Sequence, residues 1–192
     1  EPLMRRALGI FEHEYGPWDS RVGSVLNNIA ELLRDTNRLA EAEPLYRRAL
    51  AIDEQSFGPE HLQVARDLNN LAWLLRDTYR LVEAETLLRR ALVIFEEFLG
   101  ENHPDVATAL DNLASLLRDT NRLAEAEPLL RRALTIDEQS FGPDHPSVAT
   151  RLNNLALLLH ATNRLAEAEP LLRRALTVTE DSLGAYHPEV AA

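Results

Sequence analysis

The chain has 192 residues, of which 45% are apolar and 27% charged, and its net charge is −11. That is ample material for a packed core, while the acidic balance argues against a nucleic-acid partner, which needs a cationic surface. It has no cysteine, which excludes a disulfide scaffold, thiolate chemistry and sulfur-held zinc or iron–sulfur sites, and all 20 basic residues are arginines, which excludes a phosphate-cradling P-loop lysine and Schiff-base chemistry. Aromatic residues are only 6%, with the apolar weight on Leu and Ala, a balance that favours packed helices over sheets.

A period organises the whole sequence. Gly16, Gly58, Gly100, Gly142 and Gly184 follow one another at intervals of 42 residues. The prolines keep the same interval in three phases: Pro2, Pro44, Pro128 and Pro170; Pro17, Pro59 and Pro143; Pro104, Pro146 and Pro188. Such self-similarity is the mark of a repeat architecture. Taken in chain order, the elements begin with an orphan helix over about 3–15 and its turn (residues 1–18). Four full units follow over 19–60, 61–102, 103–144 and 145–186, and residues 187–192 start a further helix. The whole is expected to form a single repeat domain. The opening Glu1-Pro2-Leu3-Met4-Arg5 begins in mid-element, as a piece of something longer would.

Each unit reads as two helices, A and B. In the third unit, Val106, Ala107, Leu110, Leu113, Ala114 and Leu117 recur at helical intervals and predict helix A over 104–119. Pro104 suits its first turn and Asn121 suits a left-handed stop. Leu123, Ala126, Leu129, Leu130, Ala133, Leu134 and Ile136 predict helix B over 123–141, with Pro128 near its first turn and Gly142 as its C-terminal cap. Neither helix buries its stripe alone, so the pairs must stack.

Leu113-Ala114, Leu117, Ala126 and Ala133, with their counterparts Leu71-Ala72, Leu75, Ala84, Ala91 and Leu155-Ala156, Leu159, Ala168, Ala175, resemble the tetratricopeptide repeat in its 42-residue, kinesin-light-chain-like form. The resemblance covers the whole chain. It implies an all-α fold, a right-handed α-solenoid of stacked antiparallel helix pairs, with the A helices lining a concave groove that takes ligands. Residues 35–59 and 119–143 differ only at Tyr46/Leu130 and Ala51/Thr135.

Little points to catalysis or to a cofactor. His61, His103, His145 and His187 recur once per unit, too far apart to share one ion, and read as helix-start residues. The acidic pairs Glu41/Glu43, Glu83/Glu85, Glu125/Glu127 and Glu167/Glu169 open each helix B and favour its dipole. The Arg-Arg pairs, such as Arg47-Arg48 and Arg131-Arg132, follow these acids by one to two turns, the order that makes ion pairs on a solvated outer face. A non-enzymatic protein without cofactors or metals is expected. No apolar run approaches the ~20 residues of a membrane span, and no signal-peptide pattern opens the chain. No membrane contact and a cytoplasmic setting are the expectation.

The stripe that faces the groove by this resemblance runs Ser24, Asn28, Glu31, Asp35; Arg66, Asn70, Trp73, Asp77; Thr108, Asn112, Ser115, Asp119; and Thr150, Asn154, Leu157, Ala161. Asn28, Asn70, Asn112 and Asn154 stand in mid-helix, where Asn is disfavoured against Ala by about 0.5–0.7 kcal/mol. A carboxamide both donates and accepts, so the column suits clasping an extended peptide backbone. Three residues on, Glu31, Trp73, Ser115 and Leu157 vary inside a near-constant frame, which suggests selection of ligand side chains. Asn69 lies beside this stripe, as do Arg34, Arg76 and Arg118, a ladder that leans towards acidic segments although each is followed directly by Asp35, Asp77 or Asp119; Trp73 suits an aromatic-containing segment. The reading is a module that binds a protein or peptide partner at Asn28, Arg34, Arg66, Asn69, Asn70, Trp73, Arg76, Asn112, Ser115, Arg118 and Asn154. The alternative is a structural spacer or a scaffold that associates head-to-tail with itself through Leu3, Leu8, Ile10 and Phe11 at one end and Leu172, Leu176 and Val178 at the other.

Overall fold

A computed structural model describes residues 1–183. They form α1 (Pro2–Tyr15), α2 (Ser20–Asp35), α3 (Leu39–Phe57), α4 (Leu62–Asp77), α5 (Leu81–Leu99), α6 (Pro104–Asp119), α7 (Leu123–Phe141), α8 (Pro146–Ala161) and α9 (Leu165–Leu183), with no strand among the described residues. Helices A are α2, α4, α6 and α8. The expected bounds of α6 and α7 are met at both ends. The helix start expected after His187 and the cap at Gly184 lie outside the described residues. Two compact units divide the chain, Glu1–Phe98 and Leu99–Ala192.

In unit 1, α2 packs on α1 and α3, and α3 packs on α4; in unit 2, α7 packs on α6 and α8, and α8 on α9. The A helices take the inner place. Along α4, Val64, Ala65, Leu68, Leu71, Ala72, Leu74 and Leu75 are all buried, so two of its faces meet apolar neighbours. The B helices bury one stripe: Ala42, Tyr46, Ala49 and Ile52 on α3, and Ala126, Leu130, Ala133 and Ile136 on α7. Ala at closely packed positions lets helix backbones approach, and Leu fills the gaps between them.

The ends expected to be bare are partly covered. Leu8 and Phe11 are half-buried against Val22, Leu26, Ala49 and Ile52, because α1 lays that face on α2. Val178 is 3% exposed, held in the cluster of Val148, Ala149, Leu152 and Ala175. Leu3, Ile10, Leu172 and Leu176 do stay exposed. Pro128 also departs from its expected place: it sits inside α7, in the second turn, as do Pro44 in α3 and Pro170 in α9. Their side chains face solvent, so the lost N–H leaves no buried carbonyl stranded.

Helix boundaries repeat chemically. His61, His103 and His145 are N-caps: each Nδ1 accepts the N–H two residues on, from Gln63, Asp105 and Ser147, at 3.1, 3.1 and 3.2 Å. Asp19 does the same for Arg21 at 3.0 Å. At the end of each helix A, Thr36, Thr78, Thr120 and Thr162 donate their hydroxyls to carbonyls three and four residues back. The next residue turns left-handed: Asn37 at φ 57°, Tyr79 at 60°, Asn121 at 58° and Asn163 at 60°. Asn tolerates that conformation; tyrosine does not. Gly16, Gly58, Gly100 and Gly142 end the B helices at φ between 86° and 90°, a backbone that only glycine adopts without strain.

The outer charges pair partly as expected. Glu41, Glu125 and Glu167 bind back to Arg38, Arg122 and Arg164 at 2.6, 2.7 and 2.6 Å, and Glu83 binds Arg80 likewise. The first arginine of each pair takes the acid four residues back: Arg47 with Glu43 at 2.9 Å, Arg89 with Glu85 at 2.8 Å, Arg131 with Glu127 and Arg173 with Glu169 at 2.7 Å. The second reaches back to the preceding B helix and its turn, Arg48, Arg90 and Arg174 pairing with Glu12, Glu54 and Glu138 at 2.7, 2.8 and 2.5 Å. Arg48, Arg90 and Arg174 donate to the carbonyls of Pro17, Pro59 and Pro143 at 3.0, 2.8 and 3.1 Å, and Arg132 to that of Glu101 at 3.0 Å. Arg164 and Arg131 hold the Glu127 carboxyl below its usual range. Each exposed pair is worth little alone; their regularity orients one helix pair on the next.

Two outcomes follow from these boundaries. Tyr79 is 87% exposed, so Tyr79→Asn loses no packing and should stabilise the protein by about 1 kcal/mol; an unchanged or lower thermal midpoint would show that the turn carries no strain. His145→Ala should cost about 0.5–2 kcal/mol in urea denaturation, and His145→Asp, copying Asp19, should recover most of it. Equal losses for both variants would assign the effect to the His145–Phe141 ring stack, whose centroids lie 4.5 Å apart, and not to the cap.

Candidate functional site

The A-helix stripe lies outside the core on all four helices. Ser24, Asn28, Glu31 and Asp35 are exposed along α2; on α4, Arg66 and Asp77 are exposed and Asn70 and Trp73 half-buried. On α6, Thr108 and Asp119 are exposed and Asn112 and Ser115 half-buried; on α8, Thr150, Leu157 and Ala161 are exposed and Asn154 half-buried. Offsets of four, three and four residues keep each set on one helical face. The candidate residues therefore fall into two groups, Asn28, Arg34, Arg66, Asn69, Asn70, Trp73 and Arg76 in unit 1, and Asn112, Ser115, Arg118 and Asn154 in unit 2.

Unit 1 holds an aromatic platform. The Arg76 guanidinium lies 4.7 Å from the centre of the Trp73 ring, within cation–π range, so that two candidate residues form one surface. Arg34 reaches from α2 to Asp77 of α4, Nε to Oδ2 at 3.7 Å, and so joins adjacent A helices. Beneath Arg34, Tyr46 is 1% exposed. Burial pushes its hydroxyl up to about 12, with the Arg34 charge opposing. Asn28 and Arg66 lie at the exposed edge, and Asn69 is half-buried beside them.

Unit 2 holds a shallow recess of about 10 Å³, room for roughly one water molecule, lined by Asp111, Ala114, Ser115, Arg118, Leu130 and Asn154. The corresponding positions of unit 1 carry Asn27, Ala30, Glu31, Arg34, Tyr46 and Asn70, where Glu31 and Tyr46 are bulkier than Ser115 and Leu130. Asn154 is committed internally: its Nδ2 donates to both Asp111 oxygens, at 3.0 and 2.8 Å. One member of the asparagine column thus fixes the wall of the recess.

Reading the stripe by itself overlooks what anchors it. Asp111 also meets Arg151 at 3.2 Å, and Arg151 meets the buried Asp137 at 2.9 Å. A signal for this was present: the core position of Arg151 reads Val25, Asp67, Ala109 and Arg151 along the chain, the one inward column that mixes apolar, acidic and basic residues. Among the described residues, no group of three His, Cys, Asp or Glu is placed to hold a metal ion, and no helix is long and apolar enough to cross a membrane.

A family model of the tetratricopeptide repeat matches residues 21–92, 75–139 and 112–181. Among curated proteins, none matches the chain significantly. Of solved structures, BtubC (BKLC) from P. vanneervenii is 26% identical with a TM-score of 0.84, the match covering 97% of this chain and 74% of that one. A putative kinesin light chain with nearly identical TPR-like repeats from Podosopora anserina is 20% identical, TM-score 0.78, covering 95% and 86%. The apo form of RapI is 17% identical, TM-score 0.80, covering 93% and 62%. The last two likenesses show the fold, an all-α repeat of stacked helix pairs.

Proposed function

From the premise that this chain belongs to the tetratricopeptide repeat family, whose repeats mediate protein–protein interaction, we propose that it is a non-enzymatic module holding an extended peptide segment of a partner on its A-helix face. The observation that carries this reading is the Trp73–Arg76 platform. A half-buried indole with a guanidinium on its ring is preorganised for an aromatic or acidic side chain, and Trp and Arg are the residue types enriched in binding hot spots. Asn28 and Asn70, four and three residues from Ser24 and Trp73 on their own helices, would pair with the peptide backbone, which varies little with ligand sequence.

A scaffold that associates with further copies of itself is the competing reading, favoured by Leu172 and Leu176, each 44% exposed on α9. Sedimentation across a concentration series separates the two, since only self-association makes the mass depend on protein concentration.

The direct test screens immobilised extended peptides, acidic and aromatic residues varied independently, against the full chain. Asn28→Ala with Asn70→Ala should weaken the best binders by about 1–3 kcal/mol through unpaired backbone groups. Trp73→Ala should abolish the preference for aromatic or acidic peptides. Leu71→Ala, which empties a core position, should instead cost about 2–5 kcal/mol of stability. Undiminished binding by both surface variants would place the ligand elsewhere.

A further inference from the structure

The same three core positions are filled with opposite chemistry in the two units. In unit 2 they are Asp111 on α6, Asp137 on α7 and Arg151 on α8. The guanidinium of Arg151 binds Asp137 at 2.9 Å, Asp111 at 3.2 Å and the Thr108 hydroxyl at 3.0 Å, and Asn154 secures Asp111 from the other side. Eighty-four residues earlier the positions are Asn27 on α2, Asp53 on α3 and Asp67 on α4. An aspartate stands where unit 2 has its arginine, so acid faces acid.

Both carboxyls are fully buried. Asn27 donates to one Asp67 oxygen at 2.6 Å. The other Asp67 oxygen and both Asp53 oxygens are buried without a hydrogen-bond partner. The helix opposite is cut to fit: α2 carries Gly23 where the other A helices carry Ala65, Ala107 and Ala149, and a Cβ there would stand 2.9 Å from Asp53 Oδ1. The groups facing the pair from each packed element are Gly23 and Asn27 of α2, Glu54 of α3, and His61 and Gln63 at the start of α4. None is an arginine, and Glu54 is itself engaged by Arg90 at 2.8 Å. Two ionised carboxylates in contact in a dry interior repel strongly enough that one must be neutralised.

We propose that Asp53 and Asp67 are a seat for one proton, which unit 1 takes from solution to supply the positive charge that Arg151 supplies in unit 2, and that the packing of α2, α3 and α4 loosens when this proton is lost. A proton between the carboxyls is the donor that the unpartnered oxygens lack. It leaves the cluster with a net charge of −1, the same as two aspartates and an arginine in unit 2. Burial, and next the Asp53 charge, push Asp67 up to about 8; burial likewise raises Asp53. An unfolded aspartate titrates at about 3.9, so the folded form binds the proton more tightly. That contribution is complete below the unfolded value and is lost as pH rises through the folded one. Unit 1 therefore weakens between mildly acidic and mildly alkaline pH.

Denaturant titrations of the full chain, wild type against Asp67→Asn and Asp67→Arg, from about pH 5.5 to about pH 9 cancel histidine effects common to all three. Relative to Asp67→Asn, the wild-type folding constant should fall by up to about tenfold per pH unit as pH rises towards 8. Asp67→Arg, which places a fixed positive charge beside Asp53 as Arg151 does beside Asp137, should show no such fall. Carbon-13 carboxyl spectra should show one aspartate titrating near neutral or above, missing in Asp67→Asn. If Asp67→Asn does not fold, Asp53→Asn serves in its place. A gap between wild type and variant that does not change with pH, or aspartates that all titrate in the usual acidic range, overturns the proposal. So does recovery of the alkaline loss by added magnesium or calcium chloride, which would make the seat a metal site.

Discussion

Everything in this fold depends on helices that cannot bury their apolar surface unaided. An A helix such as α4 hides Val64, Leu68 and Leu71 together with Leu74 and Leu75, more than a single stripe, and must be covered from two sides. A B helix hides one stripe and can face solvent with the remainder. Alternation of the two kinds is thus a packing requirement before it is a motif. Small side chains set how closely the helices approach. Ala42, Ala84 and Ala126 are fully buried at the same position in successive B helices, where a larger group would force the backbones apart.

The connections are made by short-range chemistry of the same kind each time. A capping histidine or aspartate starts helix A, a threonine closes its last turn, a left-handed residue reverses the chain, and a glycine ends helix B. The second arginine of each B-helix pair then ties this scheme to the preceding turn, donating to a carbonyl 31 residues earlier. That bond is long in sequence yet recurs at every unit, so one local rule, copied, fixes how neighbouring helix pairs lie.

This explains what the sequence disclosed. Helix type, bounds and stops follow from apolar spacing and from residues with restricted backbones, and such signals survive without tertiary information; α6 and α7 are cases in point. Helical offsets gave only that each set of the Asn28 and Trp73 stripe shares one face; which face it is came from the resemblance to the repeat family. Partners were harder to read. Glu41 and Glu43 differ by two residues and bind different arginines, Arg38 on one side and Arg47 and Arg80 on the other, because side-chain reach across a turn decides the match. The engagement of Asn154 with Asp111 was equally hidden. Asn154 shares its Leu-Asn-Asn context with Asn28 and Asn70, yet its partner Asp111, which stands where the other units have Asn27, Asn69 and Asn153, precedes Asn112 in the chain and meets Asn154 only across from the neighbouring A helix.

Repetition also sharpens what divergence means. When a backbone position recurs, its residues are substitutions made in one environment within one molecule, and a change there must be answered by a neighbour. Asp137 and Asp53 are such equivalents. Beside the first, Arg151 provides a charge and Asp111 shares it; beside the second, Asp67 provides none, and Gly23 gives up its side chain to make room. A single exchange copies neither set in full. An arginine at 67 alone would meet Asn27 where Arg151 meets Asp111, and an alanine at 23 would press on Asp53. Compensation of this kind ties chemistry in the core to the stripe, since Asn154 of the stripe holds Asp111, and Asp111 shares Arg151 with the buried Asp137. A core column that holds Val25, Asp67, Ala109 and Arg151 on nearly identical helices gives each A-helix face a different foundation, though the helices themselves are repeats of one another.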